Sequence, residues 1–355
     1  MSVAADYQDH ISLWAQLASW VPGEVFDAHT HLGPAEVMGR LGPERLKEAL
    51  CTFASFNDEQ TRAWYLKLYG GKTVVGRIAF GFPLREVDIK GANDYVASIA
   101  RDDSAVVPFI LADPHDVSAT IAQFDAGLEQ GVRFRGIKPY FDLLGIDKPN
   151  SVFHCKDIDF CPLELLEFAN SEQLIIMLHT SSIGIGAPAV REYVEMAATR
   201  FPRIKIILAH MGRYTKPEQF KDFFESSTIY HPNIYLDTSS ATSEDVYIQF
   251  LSRRELWGKL LFGSDVPFGM ITGVEHWSDT HGPIFITRDD YVWSDPQLNN
   301  EFAELRSQLS YNTYHVIQAL RGAMERLDLS TEEQHELKSR IFSRNAIENL
   351  LGTSV

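Results

Sequence analysis

The stretch Val25-Phe26-Asp27-Ala28-His29-Thr30-His31 determines how the rest of this sequence is interpreted. Its apolar start is typical of a buried strand. One residue separates its two histidines, so both imidazoles project from the same face of an extended backbone. Neutral imidazole is the commonest protein ligand of zinc and similar ions. Because His-x-His also occurs by chance, a metal site needs further ligands elsewhere in the chain.

Three later apolar runs end on residues of the same ligand type. Residues 174–178 are followed by His179, residues 204–209 by His210, and residues 259–264 by Asp265. Short apolar runs of this kind are typical of parallel strands that are covered on both faces. Catalytic zinc sites combine such ligands with an open position for water. The agreement of these strand ends favours a catalytic metal site over a chance pair.

Strands of this kind alternate with helical patterns along the chain, which predicts a (β/α)8 barrel, or TIM barrel. The active site of such a barrel lies at the carboxyl ends of its strands, where the ligand-type residues fall. The predicted strands are 25–31, 73–82, 105–112, 134–140, 174–179, 204–210, 233–238 and 259–265, and the predicted helices between them are 93–101, 117–130, 162–171, 188–200 and 243–253.

We expect residues 1–355 to form a single domain with long insertions after the first and eighth strands. Long excursions after ligand-bearing strands commonly cap a pocket, so both insertions are predicted to cover the site. The second could instead be a surface loop packed on its own aromatic side chains. The insertions are 32–72, with helical patterns at 43–56 and 58–69, and 266–297; further helices are predicted at 6–20, 298–327 and 330–351.

Composition argues against several kinds of partner. The chain has 48 acidic and 32 basic residues, a net charge of −16, which disfavours nucleic acid and anionic membranes. No apolar run could span a bilayer and the first residues lack the features of a secretory signal, so a cytoplasmic location is expected. Cys51, Cys155 and Cys161 form no disulfide framework. The expected partners are a small-molecule substrate and a second copy of the chain in a homodimer. The substrate could be anionic, because a single Arg or Lys can make the pocket locally positive.

Local motifs around the ligand-type residues resemble the amidohydrolase superfamily, and in particular its family 2 branch. The motifs are Phe-Asp-Ala-His-Thr-His at 26–31, Leu-Ala-His-Met-Gly at 208–212, Tyr-Leu-Asp-Thr-Ser at 235–239 and Phe-Gly-Ser-Asp-Val-Pro at 262–267. The resemblance covers residues 25–352 and is specific to the superfamily, but much less specific to one reaction.

Carried over by position, the resemblance implies that His29, His31, His179 and Asp265 bind one divalent ion, with Zn as the expected metal. It also implies catalytic roles for His210, which would stand beside the ion, and for Asp265, which would shuttle a proton to the leaving group. A bound Zn lowers the pKa of its water toward about 7 and polarises a carbonyl.

Lys138, at the end of the fourth strand, has three possible roles. Elsewhere in the superfamily a lysine on this strand is carboxylated and bridges two metals, although the family 2 branch is usually mononuclear. A free ammonium would instead hold a substrate carboxylate or carbonyl, or the lysine is purely structural. We expect Lys138, Tyr140 and Arg213 to bind substrate, while an arginine after a barrel strand is often a solvated loop charge.

The sequence therefore predicts a metal-dependent hydrolase of a small ester, lactone or amide. The alternative is a non-oxidative decarboxylase, in which the ion and a cation hold a carboxylate while carbon receives the proton. A hydratase and a barrel that only binds a ligand also stay open, because fold alone does not define function. Asp27 is expected to support the site from the barrel core, and Asp237 is expected to be structural, tied to backbone groups around Ser239 and Ser240.

Overall fold

The structure is a computed structural model that describes residues 7–43, 45, 55–148, 151–214, 217–289, 291 and 294–352. Eight parallel strands pair in sequence order. The ring closes where Ala28 N donates to Phe262 O at 2.8 Å and His31 N donates to Val266 O at 2.8 Å. The predicted (β/α)8 TIM barrel is confirmed. Its strands are β1 (Glu24–Leu32), β2 (Thr73–Gly81), β3 (Val106–Leu111), β4 (Gly136–Lys138), β5 (Ile175–Leu178), β6 (Lys205–Leu208), β7 (Ile234–Asp237) and β8 (Leu260–Leu261).

Helices follow the strands and form the outer layer. Side-chain caps fix several helix starts: Asp88 accepts from Gly91 N, Asp116 from Ala119 N, and Ser330 from Glu333 N. None of the described helices is long and apolar enough to cross a membrane. They are α1 (Tyr7–Leu17), α2 (Asp58–Leu68), α3 (Ile89–Asp102), α4 (Val117–Glu129), α5 (Asp157–Phe160), α6 (Leu163–Glu172), α7 (Pro188–Arg200), α8 (Pro217–Phe224), α9 (Glu244–Leu251), α10 (Pro296–Glu301), α11 (Asn312–Arg326) and α12 (Thr331–Ser339).

The insertion after β8 contains two strands that were not predicted. It contains an antiparallel hairpin of β9 (Gly273–Ser278) and β10 (Gly282–Thr287). Ile284 and Ile286, two residues apart, project from one face of the hairpin into a small apolar cluster. The single helix predicted at 298–327 is also wrong, because the chain leaves the helical conformation at Leu309, and Tyr311 pairs with Thr272 beside the hairpin.

The predicted helix 43–56, together with Cys51, lies largely outside the described residues. The predicted helix 58–69 is α2, which begins at the capping box of Asn57 and Gln60.

The C-terminal segment closes the amino end of the barrel. After α12 the chain continues as a π-helix, Arg340–Leu350, whose Ala346 and Leu350 join the apolar cluster of the barrel interior. Asn345 Nδ2 donates to the carbonyl oxygen of Leu260, the first residue of β8, at 2.7 Å. Because the amino end is filled in this way, the carboxyl end is left for the active site.

Candidate active site

The ligand-type residues lie together at the carboxyl end of the barrel. His29 and His31 belong to the second half of β1, and His179, His210 and Asp265 follow β5, β6 and β8. His210 and Asp265 adopt positive φ angles of 57° and 58°. Non-glycine residues seldom occupy this region, and such strain is concentrated at functional sites.

His29, His210 and Asp265 form the tightest group, since one ligand atom of each lies within 4.8 Å of the others. Asp265 Oδ1 lies 3.3 Å from His29 Nε2 and 3.0 Å from His31 Nε2. The other carboxylate oxygen, Oδ2, accepts a hydrogen bond from Ser240 Oγ at 3.2 Å. His31 is thus connected to this group by its contact with Asp265.

His179 lies at the side of this group. Its ring centre is 5.2 Å from that of His210, and it is outside the set whose ligand atoms lie within 4.8 Å of one another. Among the described residues, its buried Nδ1 has no hydrogen-bond partner. A buried polar atom without a partner is costly, so this nitrogen is suited to a ligand or an ion.

Asp237, the last residue of β7, holds two of the histidines. Its Oδ2 lies 2.9 Å from His29 Nδ1, and its Oδ1 accepts the backbone N–H of His210 at 3.0 Å. Ser239 donates its backbone N–H to the same Oδ1 at 3.0 Å and donates its hydroxyl there as well. The expected ties to the backbone near Ser239 are confirmed, but the contact with His29 was not predicted from the sequence.

Burial keeps the imidazoles of the site neutral. It lowers the pKa of His29 and of His31 well below the usual value, and the charge of Lys138 acts in the same direction. Burial also lowers the pKa of His179 well below its usual value, and that of His210 to about 4. Neutral imidazole offers the lone pair that metal binding requires.

The donor set fits a divalent cation. If His29 donates a hydrogen bond from Nδ1–H to Asp237, its Nε2 lone pair faces Asp265 Oδ1 at 3.3 Å. Two acceptors at this distance repel each other unless a positive charge lies near both, and such a charge can come from a divalent ion or from the Lys138 ammonium, 3.4 Å from His29 Nε2. His29 and Asp265, with His210, His31 and His179 around them, can therefore hold one divalent ion.

Lys138 lies inside the site. Its Nζ is 3.4 Å from His29 Nε2 and 4.8 Å from the centre of the Phe80 ring. The side chain is almost completely buried, and burial lowers the pKa of Lys138 to about 8. The amine is therefore placed to contact any substrate that reaches His29.

Tyr140 and Arg213 lie on the side of His179. The Tyr140 ring packs against the His179 ring at a centre-to-centre distance of 4.9 Å. Arg213 Nη1 donates to the carbonyl oxygens of Thr180 at 2.8 Å and Ser182 at 3.4 Å. This nitrogen is directed to the loop after β5, whereas Tyr140 borders the imidazole cluster.

Three aromatic rings that were not predicted as part of the site surround His31. The ring centres of Phe80, Phe82 and Phe268 lie 4.7, 5.5 and 5.1 Å from that of His31. Phe80 and Phe82 are two residues apart, so strand alternation alone could have placed them on one face. These rings give the site an apolar wall.

Asp27 connects the histidine strand to its neighbours. Its Oδ1 accepts the backbone N–H groups of His29 at 3.1 Å and Ser264 at 2.8 Å. Its Oδ2 accepts the Tyr65 hydroxyl at 2.8 Å, and the Ser264 hydroxyl donates there too. Burial raises the pKa of Asp27 to about 6. These contacts agree with the supporting position that the sequence predicted.

The chain belongs to the amidohydrolase family, because the sequence profile of that family matches residues 27–287. The resemblance found in the sequence is confirmed, and the protein is an enzyme of the amidohydrolase superfamily. A comparison with curated proteins finds no match.

Two solved structures are similar in fold. Dihydroxybenzoic acid decarboxylase from Polaromonas sp. JS666, with bound manganese and the inhibitor 2-nitroresorcinol, is 14% identical over 93% of this chain and 97% of that chain, with a TM-score of 0.50. IDCase from Metarhizium anisopliae, in its apo form, is 15% identical over 92% of this chain and 97% of that chain, with a TM-score of 0.51. At these identities the similarity concerns the fold, and function has to be argued from the site.

Proposed function

We propose that this enzyme is a metal-dependent hydrolase of a small carbonyl substrate, an ester, lactone or amide. The observation that carries the proposal is the close approach of His29 Nε2 to Asp265 Oδ1, 3.3 Å apart at the carboxyl end of the barrel. A divalent ion there, for which we propose Zn, would lower the pKa of water toward about 7 and polarise a carbonyl.

We propose His29, His31, His179 and Asp265 as the residues that hold the ion. Support is strongest for His29 and Asp265, which belong to the tightest group of ligand atoms. His31 contacts the same carboxylate oxygen, and His179 offers an unpartnered nitrogen. His210 also lies in the tightest group, so it is close enough either to add a ligand or to contact the substrate.

The chain's own side chains then supply the proton transfers. As water forms a bond to the carbonyl carbon, Asp265 accepts its proton and passes it to the alcohol or amine whose bond to that carbon breaks. Ser240 orients the carboxylate through Oδ2. His210, whose Nδ1–H donates to the Ser239 carbonyl oxygen at 3.1 Å, leaves its Nε2 lone pair free to accept a hydrogen bond from the water or from the substrate. Lys138 holds a second oxygen of the substrate.

A non-oxidative decarboxylase is the second candidate, and the surroundings of Lys138 favour it. A buried ammonium 4.8 Å from the Phe80 ring suits a carboxylate carried by a flat, apolar substrate. In this reaction the bond between the carboxylate and its carbon breaks, CO₂ leaves, and the carbon receives a proton. The Polaromonas decarboxylase is an example of a protein of this fold that is named for such a reaction.

One panel of compounds separates the two candidates. Esters, lactones, amides and aromatic carboxylic acids are assayed with the metal-loaded enzyme, in parallel for hydrolysis and for CO₂ release. Hydrolysis without CO₂ supports the main proposal, and CO₂ release without hydrolysis replaces it by the second. The His210→Ala variant should lose turnover while it keeps its metal. Unchanged turnover in this variant would contradict the role given to His210.

A further inference from the structure

The hydrogen bonds of Asp237 are divided unequally between its two oxygens. Oδ1 receives three donors: the His210 backbone N–H at 3.0 Å, the Ser239 backbone N–H at 3.0 Å, and the Ser239 hydroxyl. Oδ2 lies 2.9 Å from His29 Nδ1. Both Asp237 and His29 are fully buried, so bulk water does not compete for these contacts. The crowding of Oδ1 therefore leaves Oδ2 as the oxygen for His29.

The partner of Nδ1 determines what His29 offers at Nε2. A neutral imidazole carries one N–H, so a ring that donates from Nδ1 has a bare Nε2. That Nε2 lies 3.3 Å from Asp265 Oδ1 and 3.4 Å from Lys138 Nζ. In the opposite tautomer, an N–H would point at Asp265 and form a hydrogen bond in the place where a cation is expected.

We propose that Asp237 is a positioning residue that fixes His29 as the Nδ1–H tautomer and so keeps its Nε2 lone pair free for a divalent cation. Carboxylates that orient the far nitrogen of a ligand histidine commonly raise metal affinity. The use of this lone pair for a metal rests on the proposed function. The tautomer itself is a property of the metal-free protein and does not depend on any substrate.

The unequal division of donors gives Asp237→Asn an unusual consequence. An amide has one acceptor oxygen and one NH₂ group. The three donors at Oδ1 require the oxygen on their side, so the NH₂ group must face His29 Nδ1. Nδ1 then has to accept, and the proton of His29 moves to Nε2. A substitution of nearly identical shape is thus expected to invert the tautomer.

Ser239→Ala is the matched control. It removes the hydroxyl, which also lies 3.3 Å from His29 Nδ1, but leaves Asp237 Oδ2 at 2.9 Å from that nitrogen and two backbone N–H donors on Oδ1. His210 Nδ1 keeps the carbonyl oxygen of Ser239 at 3.1 Å. The carboxylate therefore still faces His29, and the tautomer of His29 should not change.

The tautomers are read from ¹⁵N NMR spectra of metal-free protein labelled at histidine, with the His29 signals assigned by their loss in His29→Gln. We expect Nδ1–H in the wild type and in Ser239→Ala, and Nε2–H in Asp237→Asn. A wild-type His29 protonated at Nε2 would overturn the proposal even if Asp237→Asn failed to fold. A folded Asp237→Asn that keeps Nδ1–H would overturn it too.

Zn²⁺ affinity, measured by chelator competition without substrate, tests the consequence for the metal. Asp237→Asn should bind Zn²⁺ about 10–100-fold more weakly than the wild type, and Ser239→Ala should stay within about threefold. An inverted tautomer with unchanged Zn²⁺ affinity would contradict the metal part of the proposal. Failure of the hydrolase assignment would appear only in the substrate panel, so the two outcomes are distinguishable.

Discussion

Tyr65 is the residue through which the excursion after β1 reaches the histidine strand. Its hydroxyl donates to Asp27 Oδ2 at 2.8 Å and lies 3.0 Å from Thr30 Oγ1. Asp27 in turn accepts the backbone N–H of His29. A side chain from α2 thus supports the carboxylate on which the geometry of β1 depends.

Tyr65→Phe should lower the free energy of unfolding by about 1.5–3 kcal/mol, because a buried carboxylate loses a donor while the ring is kept. Tyr235→Phe is the control. This variant loses a hydrogen bond to a neutral acceptor, the carbonyl oxygen of Asn349 at 3.0 Å. Its free energy of unfolding should fall by about 0.5–1.5 kcal/mol. Urea unfolding measures both. Equal losses in the two variants would contradict the larger contribution expected of the hydrogen bond to the Asp27 carboxylate.

The histidines of the site were predictable from sequence, whereas the role of Asp237 was not. His29 and His31 follow from strand alternation, and His179 and His210 from their places at the ends of apolar runs. The pairing of Asp237 with His29 joins residues 208 positions apart across the barrel. It depends on strand register and on side-chain direction, which no local pattern of residues contains.

At the level of elements, an ion network joins the excursion after β1 to the loops after β2 and β4. Arg45 Nε lies 2.7 Å from Glu86 Oε1, and its Nη2 contacts Asp142. Asp142 Oδ2 also accepts the backbone N–H of Arg85 at 3.1 Å. Arg45 and Asp142 are 13% and 7% exposed at their side chains, so solvent screens this contact little.

Asp142→Ala should therefore lower the free energy of unfolding by about 1–3 kcal/mol, because Arg45 loses a buried partner. Asp147→Ala provides the contrast. Asp147 pairs with Arg85 at 3.0 Å, but its side chain is 94% exposed. Its removal should change the free energy of unfolding by less than about 0.5 kcal/mol. Thermal and urea unfolding of both variants test this. A larger effect at Asp147 would contradict the importance of burial in this network.

The elements themselves were predicted best where a single periodic pattern decides them. Every predicted strand is present, but several are shorter than predicted. Predicted strand 259–265 contains only Leu260–Leu261 as β8, because the chain turns at the site, where Asp265 has a φ of 58°. The hairpin after β8 was missed, since its alternation is short and its apolar face is covered by residues distant in sequence. That both insertions cap the site stays a prediction.

For the whole molecule, a buried histidine far from the site links stability to pH. His315 in α11 is 9% exposed, and its Nε2 accepts the Ser310 backbone N–H at 3.0 Å. Burial lowers the pKa of His315 to about 4. In the unfolded chain the value is about 6.5. The unfolded state therefore binds more protons between these values, so stability rises with pH across this window and is lost as the pH falls.

His315→Gln keeps a side-chain acceptor but cannot titrate. Across pH 4 to 6.5, the free energy of unfolding of this variant should rise less steeply with pH than that of the wild type. The difference between the two slopes should be at most about 1.4 kcal/mol per pH unit. Urea unfolding at several pH values measures the two slopes. Identical slopes would show that His315 does not contribute to the acid sensitivity.

The central claim is that one divalent ion occupies the site formed by the histidines and Asp265. Its most direct test is elemental analysis of protein purified without added metal or chelator, for the native chain and for Lys138→Ala. We predict one equivalent of Zn in both. Two equivalents that fall to one in Lys138→Ala would instead identify a carboxylated lysine that bridges two metals. No bound metal in either protein, even after reconstitution, would contradict the account.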